Sequence, residues 1–278
     1  MRVVPTVAEM RRARQQMAGS VGLVPTMGAL HEGHLSLVRH ARAGDDTVVA
    51  SIFVNPTQFG PGEDYARYPR DPDRDLALLR DLGTDVVFMP PVEEMYPEGF
   101  DTYVEVEKLT RVLEGAHRPG HFRGVATVVT KLFNIVQPHR AYFGQKDAQQ
   151  LVVIRRLTRD LGLPVEVVGL PTVREPDGLA MSSRNAYLSP EERRAAPVLH
   201  RSLEAAEEMW RAGVRDASVV RQRMNEVLAA EPLARVDYVS VADAETLEEL
   251  ETAGRPALVS LAVQIGGTRL IDNVTLTP

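Results

Sequence analysis

Short apolar runs alternate with segments of helical periodicity along roughly the first 170 residues of the chain. Residues 47–54 (TVVASIFV) are apolar and β-branched, which predicts a strand buried on both faces of a sheet. In the segment 125–136, Val125, Val129 and Leu132 recur at helical spacing and predict a core helix. The same criteria predict strands at 21–26, 47–54, 85–89, 140–143 and 164–170, and helices at 33–43, 71–82, 125–136 and 147–161. This alternation predicts an α/β fold with a doubly wound, Rossmann-like parallel sheet.

The pattern changes after about residue 170. Two helical stretches at 190–212 and 218–230 precede alternating strands at 235–241, 257–265 and 268–274. Helices followed by strands that alternate between apolar and polar positions are typical of an α+β domain with an antiparallel sheet. We therefore predict two domains, residues 1–172 and a smaller α+β C-terminal domain of residues 173–278, with the boundary near 171–178.

Composition narrows the classes of function that need to be considered. The chain has no cysteine, which excludes a disulfide framework, a thiolate zinc site and a cysteine nucleophile. Its formal net charge of −6 argues against a nucleic-acid-binding protein, which usually presents a basic face. Neither a signal peptide nor an apolar run of about 18 residues is found, so we expect a cytoplasmic protein without a membrane partner.

The segment PTMGALHEGH, residues 25–34, follows directly after the first predicted strand of the alternating region. In a doubly wound fold, ligands bind beyond the carboxyl ends of the strands. A helix that starts there offers backbone N–H groups and a dipole that favour an anion. His31 and His34 could donate hydrogen bonds to phosphate oxygens, and Gly33 would let a nucleotide approach the backbone closely. The alternative is two ordinary surface histidines at a helix start, and we favour the phosphate site.

Two later segments carry polar groups suited to phosphates. GQKDAQQ, residues 144–150, opens a predicted helix, and its Lys146 is one of only three lysines in the chain. A compact ammonium group is well suited to a phosphate. Asp147 could be a helix N-cap, or it could face the cleft together with Gln150 three positions later. MSSRN, residues 181–185, offers two hydroxyls and a guanidinium, although such a loop is a weak signal on its own.

Taken together, the three segments resemble the HxGH nucleotidyltransferases and the class I aminoacyl-tRNA synthetases. Five longer stretches resemble the pantothenate synthetase family over about residues 20–190: PTMGALHEGHLSLV, FVNPTQFGPGEDYARYPR, RPGHFRGVATVVTKLFNIVQP, AYFGQKDAQQL and TVREPDGLAMSSRNAYLS. The resemblance implies an ATP-dependent ligase that joins D-pantoate to β-alanine through a pantoyl adenylate and releases AMP and pyrophosphate. It also implies Mg²⁺ bound with ATP, a homodimer, and an N-terminal domain that binds ATP and pantoate.

The resemblance also implies roles for individual residues. The catalytic, phosphate-contacting residues would be His31, His34, Lys146, Ser182, Ser183 and Arg184. Further contacts with ATP would come from Met27, Gly33, Gly144, Asp147, Val173 and Met181. Pantoate would be bound by Asn55, Gln58 and Gln150. A basic pair near the active site would be formed by Arg118 and His121, and Asp75 is the candidate metal ligand.

The chain departs from the family pattern at two places. Position 145 is Gln where the family usually has Glu, which we interpret as a change that faces solvent. An acidic pair that the family associates with magnesium is only partly present, because Asp73 and Asp75 flank Arg74. Magnesium could then be held mainly by ATP itself. Glu63 is expected to be solvated, since it lies in a Gly- and Pro-rich loop.

Two other functions compete with this interpretation. Another HxGH adenylyltransferase of cofactor biosynthesis would share the histidine motif, but such chains are usually shorter and lack the FVNPTQFG and GQKDAQQ segments. A nucleotide-sensing or RNA-binding module would bind without releasing pyrophosphate. The net charge of −6 counts against RNA. The sequence names no base for the β-alanine amine.

Overall fold

The computed structural model describes residues 1–277, and the strands within this range form two separate sheets. The larger sheet has the order β1–β4–β3–β2–β5–β6, and all of its pairs are parallel. Its strands are β1 (Arg2–Val4), β2 (Val21–Thr26), β3 (Thr47–Ile52), β4 (Val86–Phe88), β5 (Arg140–Gly144) and β6 (Glu166–Leu170). The predicted doubly wound parallel sheet is confirmed.

Helices connect these strands and cover the sheet. They are α1 (Val7–Gln15), α2 (Glu32–Gly44), α3 (Pro72–Asp81), α4 (Val92–Met95), α5 (Glu114–His117), α6 (His121–Val136) and α7 (Ala148–Asp160). The inward face of α2 consists of Leu37, Val38 and Ala41, which are buried in one core cluster with residues of β2 and β3. Burial of this apolar face contributes about 25 cal/mol for each Å² removed from water, and it fixes α2 on the sheet.

Strands β2 and β3 place two loops at the same edge of the sheet. They pair in parallel from Val21↔Thr47 to Thr26↔Ile52, so both strands end at the same level. The loop after β2 leads to α2, and the loop after β3 leads to a short 3₁₀ turn at Pro56–Gln58. The candidate residues of both loops therefore lie at the carboxyl edge, where a doubly wound sheet binds its ligands.

The smaller sheet is antiparallel and lies in the C-terminal part of the chain. Its order is β7–β8–β9, formed by Ala234–Asp243, Ala257–Ile265 and Thr268–Leu276. Helices α8 (Pro190–Ala195), α9 (Val198–Arg211) and α10 (Ala217–Ala229) precede it, and a core cluster joins α9, α10 and this sheet. This confirms the predicted α+β region. The helical stretch predicted over 190–212 consists of two helices, because the chain breaks at Pro197, which cannot donate a backbone hydrogen bond.

Two elements at the N-terminus were missed by the sequence analysis. Strand β1 has only three residues and pairs with β4 through Val3↔Val87. Helix α1 buries only Met10 and Ala13, so its apolar periodicity is weak. Its start does carry a local signal, because Thr6 accepts a hydrogen bond from the Glu9 backbone N–H at 3.2 Å, as an N-cap does.

The described chain divides into two compact units. The first comprises Met1–Arg111, Gly115–Gly144 and Val153–Pro171, and the second comprises Val112–Glu114, Gln145–Val152 and the residues from Thr172 onward. The segment that carries Lys146 therefore belongs to the second unit, although it precedes residue 172 in the chain. The division into domains of residues 1–172 and 173–278 stays a prediction. Across residues 1–277, every helix is too short or too polar to span a membrane.

Candidate active site

The two histidines of the HxGH motif together cap the start of α2. His31 is the N-cap residue, and its Nδ1 accepts a hydrogen bond from the Gly33 backbone N–H at 3.2 Å. His34 reaches back, and its Nδ1 accepts from the His31 backbone N–H at 3.4 Å. The ring centroids lie 4.1 Å apart. The pair thus forms a capping box, in which two backbone donors at the helix start are satisfied reciprocally.

This capping fixes which ring nitrogen of each histidine is a donor. A neutral imidazole has one N–H and one acceptor nitrogen. Since Nδ1 of both His31 and His34 accepts from the backbone, the ring proton of the neutral form lies on Nε2 in both residues. The two Nε2–H groups are therefore hydrogen-bond donors at a helix N-terminus, where the backbone dipole already favours an anion.

A buried carboxylate from α3 holds the loop that precedes the histidines. Asp75 is 1% exposed, and its two oxygens accept from the backbone N–H groups of Ala29 and Leu30, both at 2.8 Å. Ala29 has a positive φ of 50°, and Gly28 has a φ of 81°. A Cβ on Gly28 would lie 2.9 Å from Asp75 Oδ2, so the loop requires glycine there.

The contacts of Asp75 in the structure are with the backbone of the loop that precedes the histidines. Both carboxylate oxygens are held by backbone N–H groups, which leaves this residue as an anchor of the loop. In residues 1–277, no group of three or more histidine, aspartate or glutamate side chains is arranged to hold a metal ion. The structure gives the metal assignment of Asp75 no support.

Asn55 and Gln58 lie next to each other at the 3₁₀ turn that follows β3. Asn55 is 1% exposed, and its Nδ2 donates to Gln58 Oε1 at 3.0 Å and to the Gly124 carbonyl at 3.2 Å. Gln58 Nε2 lies 3.2 Å from the sulfur of Met27. Since the Gln58 oxygen already accepts from Asn55, the group that Gln58 presents on its other side is the N–H donor. Both residues are buried, Asn55 at 1% and Gln58 at 9% exposed, and the Asn55 amide holds the oxygen of the Gln58 amide.

Two further side chains fix the amide of Asn55. Its Oδ1 accepts from the Tyr96 hydroxyl at 2.8 Å and from the Thr57 hydroxyl at 2.9 Å. Burial raises the pKa of the Tyr96 phenol above its ordinary value, so the hydroxyl stays protonated and donates at neutral pH. Neither residue was identified from the sequence, because a tyrosine 41 positions from Asn55 carries no local signal of this contact.

Gly124 allows helix α6 to pack directly against the 3₁₀ turn at Pro56–Gln58. A Cβ at this position would lie 2.4 Å from the Thr57 carbonyl oxygen and 2.6 Å from the Gln58 nitrogen. Any other residue would push the turn and the helix apart. The backbone of Gln58 is thus packed against α6 without an intervening side chain.

The predicted basic pair also lies beside Gln58. His121 Nδ1 donates to the Gln58 carbonyl at 2.8 Å, and Arg118 Nη1 donates to His121 Nε2 at 3.2 Å. Arg118 is in turn bound by both oxygens of Glu63, at 2.8 and 2.6 Å. The expectation that Glu63 is solvated is wrong. Arg118 and His121 hold the backbone of Gln58, and much of the charge on Arg118 is neutralised by Glu63.

The electrostatics of Glu63 agree with this pairing. Burial by itself would raise the pKa of the Glu63 carboxyl, but the hydrogen bonds and the charge of Arg118 outweigh it and hold the pKa below its ordinary value. The ion pair is therefore present at neutral pH, and it is lost only when the pH falls through this lowered pKa.

In the second unit, Lys146 lies in a single 3₁₀ turn, Gln145–Asp147, directly before α7. Its Nζ lies 3.7 Å from Asp147 Oδ1, and its side chain is 19% exposed. Gln150 follows on the first turn of α7 and is half-buried. Gly144 is the last residue of β5 and belongs to the first unit.

The MSSRN segment of the second unit is a structured turn. Ser182 caps the 3₁₀ helix Ser183–Tyr187, and its hydroxyl accepts from the Arg184 backbone N–H at 3.3 Å. The chain before it folds back on itself, because the Met181 N–H donates to the Val173 carbonyl at 3.0 Å. Val173 and Met181 therefore lie side by side, and the serine- and arginine-containing turn begins immediately after them.

Comparisons with known proteins place the chain in a well-defined group. The sequence model of the family described as Pantoate-beta-alanine ligase matches residues 2–275. Pantothenate synthetase of Roseiflexus sp. (strain RS-1) is 66% identical over 276 residues, which cover 99% of both chains. Its counterpart from Herpetosiphon aurantiacus is 65% identical and covers 99% of this chain and 100% of its own.

Solved structures give the same result. The crystal structure of pantothenate synthetase from Thermus thermophilus is similar with a TM-score of 0.96, at 57% identity and with 100% of both chains covered. A pantoate-beta-alanine ligase from Francisella tularensis, complexed with beta-gamma ATP and beta-alanine, gives a TM-score of 0.80. Its identity is 34%, over 99% of this chain and 97% of that one.

Proposed function

Because the chain belongs to the family of pantoate–β-alanine ligases, we propose that it condenses D-pantoate with β-alanine to pantothenate in an ATP-dependent reaction. The observation that carries this proposal is the match of residues 2–275 to the family, with relatives more than 60% identical over nearly their whole length. The histidine pair at the start of α2 supports the same chemistry, since it offers two donors to a phosphate.

The reaction proceeds in two steps. A carboxylate is a poor electrophile, so it must be activated before an amine can attack it. The pantoate carboxylate attacks the α-phosphorus of ATP, forms a P–O bond, and displaces pyrophosphate to give pantoyl adenylate. The β-alanine amine then attacks the acyl carbon, the C–O bond to AMP breaks, and the amine releases a proton. No covalent bond to the protein is needed, so the enzyme acts by alignment and by stabilising charge.

His31 and His34 are proposed to contact the phosphates of ATP. Negative charge grows on these oxygens as pyrophosphate leaves, and preorganised donors at that position lower the barrier. The capping box presets the Nε2–H tautomer of both rings, so no reorientation is required when the charge develops. Met27 and Gly33, in the same segment, are proposed to contact the nucleotide through the backbone.

Gln58 is proposed to bind pantoate through its Nε2–H group. Asn55 orients the Gln58 amide, while Arg118 and His121 hold its backbone, so the donor is fixed before the substrate arrives. Gln150 remains a proposed second amide for pantoate. A polyhydroxy acid has several acceptor oxygens, and an amide can serve them without adding charge.

The second unit is proposed to bind ATP through the residues that the family resemblance indicates. Lys146, Ser182, Ser183 and Arg184 would contact phosphate oxygens with an ammonium, two hydroxyls and a guanidinium. Asp147, Val173 and Met181 of that unit, and Gly144 of the first unit, would contact the rest of the nucleotide.

Magnesium is proposed to enter as part of the Mg–ATP complex. Asp75, the predicted ligand, is 1% exposed and both of its oxygens accept from backbone N–H groups, so we propose that ATP supplies the main ligands of the metal. Mg²⁺ usually keeps several waters and binds substrate phosphates together with one or two carboxylates. Coordination of Mg²⁺ by the phosphates of ATP requires no contact with Asp75, whose oxygens are held by the loop.

The product pair tests the proposed function directly. Attack at the α-phosphorus is expected to release AMP and pyrophosphate in a one-to-one ratio with pantothenate when ATP, D-pantoate and β-alanine are supplied. Mass detection of the three products checks this. ADP and orthophosphate would contradict the adenylate mechanism, and adenylylation of nicotinate mononucleotide or phosphopantetheine in place of pantoate would favour another member of the HxGH group.

A homodimer in the cytoplasm is part of the same proposal, and it rests on the family resemblance. Light scattering at micromolar concentration is expected to give twice the chain mass of 30.7 kDa. The measurement should be repeated over a range of concentrations. A mass that stays at that of a single chain would contradict the proposed dimer without affecting the proposed reaction.

A further inference from the structure

Asn273, on strand β9, makes two hydrogen bonds to the turn that carries Lys146. Its Nδ2 donates to the Lys146 carbonyl at 2.8 Å and to the Gln145 carbonyl at 3.0 Å. The side chain is buried, with only 4% of the residue exposed. Both carbonyls belong to the 3₁₀ turn that immediately precedes α7. A single amide from the C-terminal sheet thus holds two consecutive peptide groups beside the predicted phosphate lysine.

The other end of the same amide is left unsatisfied. In the described part of the chain, Asn273 Oδ1 is buried and has no hydrogen-bond partner. A buried acceptor without a partner destabilises the fold, so its presence needs an explanation. Among small side chains, only an amide provides two N–H donors on one nitrogen. The need for two donors to two carbonyls explains why an amide is present in spite of its unsatisfied oxygen.

The neighbouring residue makes the position of Asn273 rigid. Asp272 Oδ1 accepts from the Asn273 backbone N–H at 2.8 Å. The Asp272 carboxylate also binds Arg174 through two hydrogen bonds, at 2.6 and 3.0 Å. Its side chain is 2% exposed, so water does not weaken this pair. The backbone of β9 is therefore fixed at the point from which the Asn273 side chain extends to the turn.

We propose that Asn273 is a positioning residue for Lys146 in the adenylation step. By fixing the backbone at Gln145 and Lys146, it sets the point from which the lysine side chain extends toward the phosphates. A displacement of about 1 Å in a charge-stabilising group can slow a reaction by about 10²-fold. The inference rests on the proposed function and adds a residue that lies 127 positions from the lysine whose backbone it holds.

A double-mutant cycle between Asn273 and Lys146 tests this inference. The measured quantity is the rate of the pyrophosphate burst with ATP and pantoate in the absence of β-alanine. Asn273→Ala is expected to slow the burst about 10-fold, since a partly released turn misplaces the ammonium without removing it. In a Lys146→Ala background, Asn273→Ala is expected to cause no further loss. The KM for pantoate should stay unchanged in Asn273→Ala.

Two further variants separate positioning from general damage to the fold. Asn273→Leu keeps the volume of the side chain but removes both donors, so it should slow the burst as Asn273→Ala does if the variant melts near the wild-type temperature. Asn225→Ala makes the same chemical change on the exposed face of α10, where the amide donates to the Arg221 carbonyl. This control should leave the burst unchanged.

Each possible outcome of these experiments either supports or overturns the positioning role of Asn273. Multiplicative losses in the cycle, or an unchanged burst in Asn273→Leu, would overturn the positioning role. A Lys146→Ala variant with a normal burst would also overturn it, since nothing would remain for Asn273 to position. Absence of any burst in the wild-type protein would instead contradict the proposed function itself, and the product assay with β-alanine would show which of the two has failed.

Discussion

Replacement of Lys146 by alanine, or of His34 by glutamine, is expected to slow the release of pyrophosphate from ATP and pantoate by about 10²–10³-fold. Both side chains are proposed to stabilise charge that grows on the phosphates, and loss of one preorganised donor costs about 2.7–4 kcal/mol of transition-state stabilisation. Wild-type protein without β-alanine should release a burst near one pyrophosphate per site, because the adenylate stays bound.

The choice of glutamine at position 34 follows from the capping box. His34→Ala would remove the acceptor for the His31 backbone N–H together with the ring, so the helix start would be weakened. Glutamine at the N3 position can reach back to the N-cap backbone as the histidine does. His34→Gln should therefore keep the melting temperature while it removes the imidazole. Comparison of the two variants separates the helix cap from the chemistry.

Controls for this prediction are available within the chain. Lys108 is exposed and lies outside the predicted phosphate segments, so Lys108→Ala should leave the burst unchanged. The second half-reaction, started with supplied pantoyl adenylate and β-alanine, should be affected less by Lys146→Ala than the first, because no pyrophosphate is present. Equal slowing of both half-reactions, with a lower melting temperature, would show that these residues are structural.

Replacement of Gln58 by alanine is expected to weaken the binding of pantoate by about 5- to 150-fold, with little change for ATP. The estimate corresponds to about 1–3 kcal/mol for a polar partner left without its hydrogen bond. Gln58→Glu should be at least as harmful, because it keeps the acceptor for Asn55 Nδ2 but replaces the N–H donor with negative charge facing a carboxylate substrate. Calorimetric titration with each substrate separately measures both effects.

An exposed glutamine provides the matched control. Gln222 lies on α10 and donates to Glu226 at the surface, so Gln222→Ala should change neither affinity. The Gln58 assignment would be refuted if Gln58→Ala weakened ATP and pantoate equally. Loss of both affinities together with thermal stability would instead indicate that Gln58 mainly supports the packing of the turn against α6.

The sequence predicted the parallel sheet well because its buried strands are continuous apolar runs. Strand β1 was not predicted, because three residues are too few to show a period. Helix α1 was not predicted, because it buries only Met10 and Ala13. Helix α6 begins four residues before the predicted start, at His121, after a left-handed Gly120. Local patterns therefore predicted the interiors of long helices and strands, whereas short edge strands and the ends of helices depend on tertiary contacts.

In the candidate site too, local patterns were predicted and distant contacts were not. The segments with His31 and Lys146 were identified because their residue types and their positions after strands are visible in the sequence. The contacts that orient Gln58 were not, because Tyr96 lies 41 positions from the Asn55 amide that it fixes, and Arg118 lies 60 positions from Gln58. A pattern of residue types predicts candidate groups for a ligand, but it does not predict the contacts between distant residues that hold those groups in place.

The HxGH loop is not a self-contained module that could be transplanted alone into another protein. Asp75 accepts from Ala29 and Leu30, and Arg74 donates to the Leu30 carbonyl at 3.0 Å, so α3 supplies acceptors and a donor to a loop 44 to 46 positions earlier. A graft of residues 25–34 without α3 would leave these peptide groups unsatisfied and would release the positive φ of Ala29. Engineering this helix start into a new scaffold therefore requires two chain segments and the parallel sheet that keeps them adjacent.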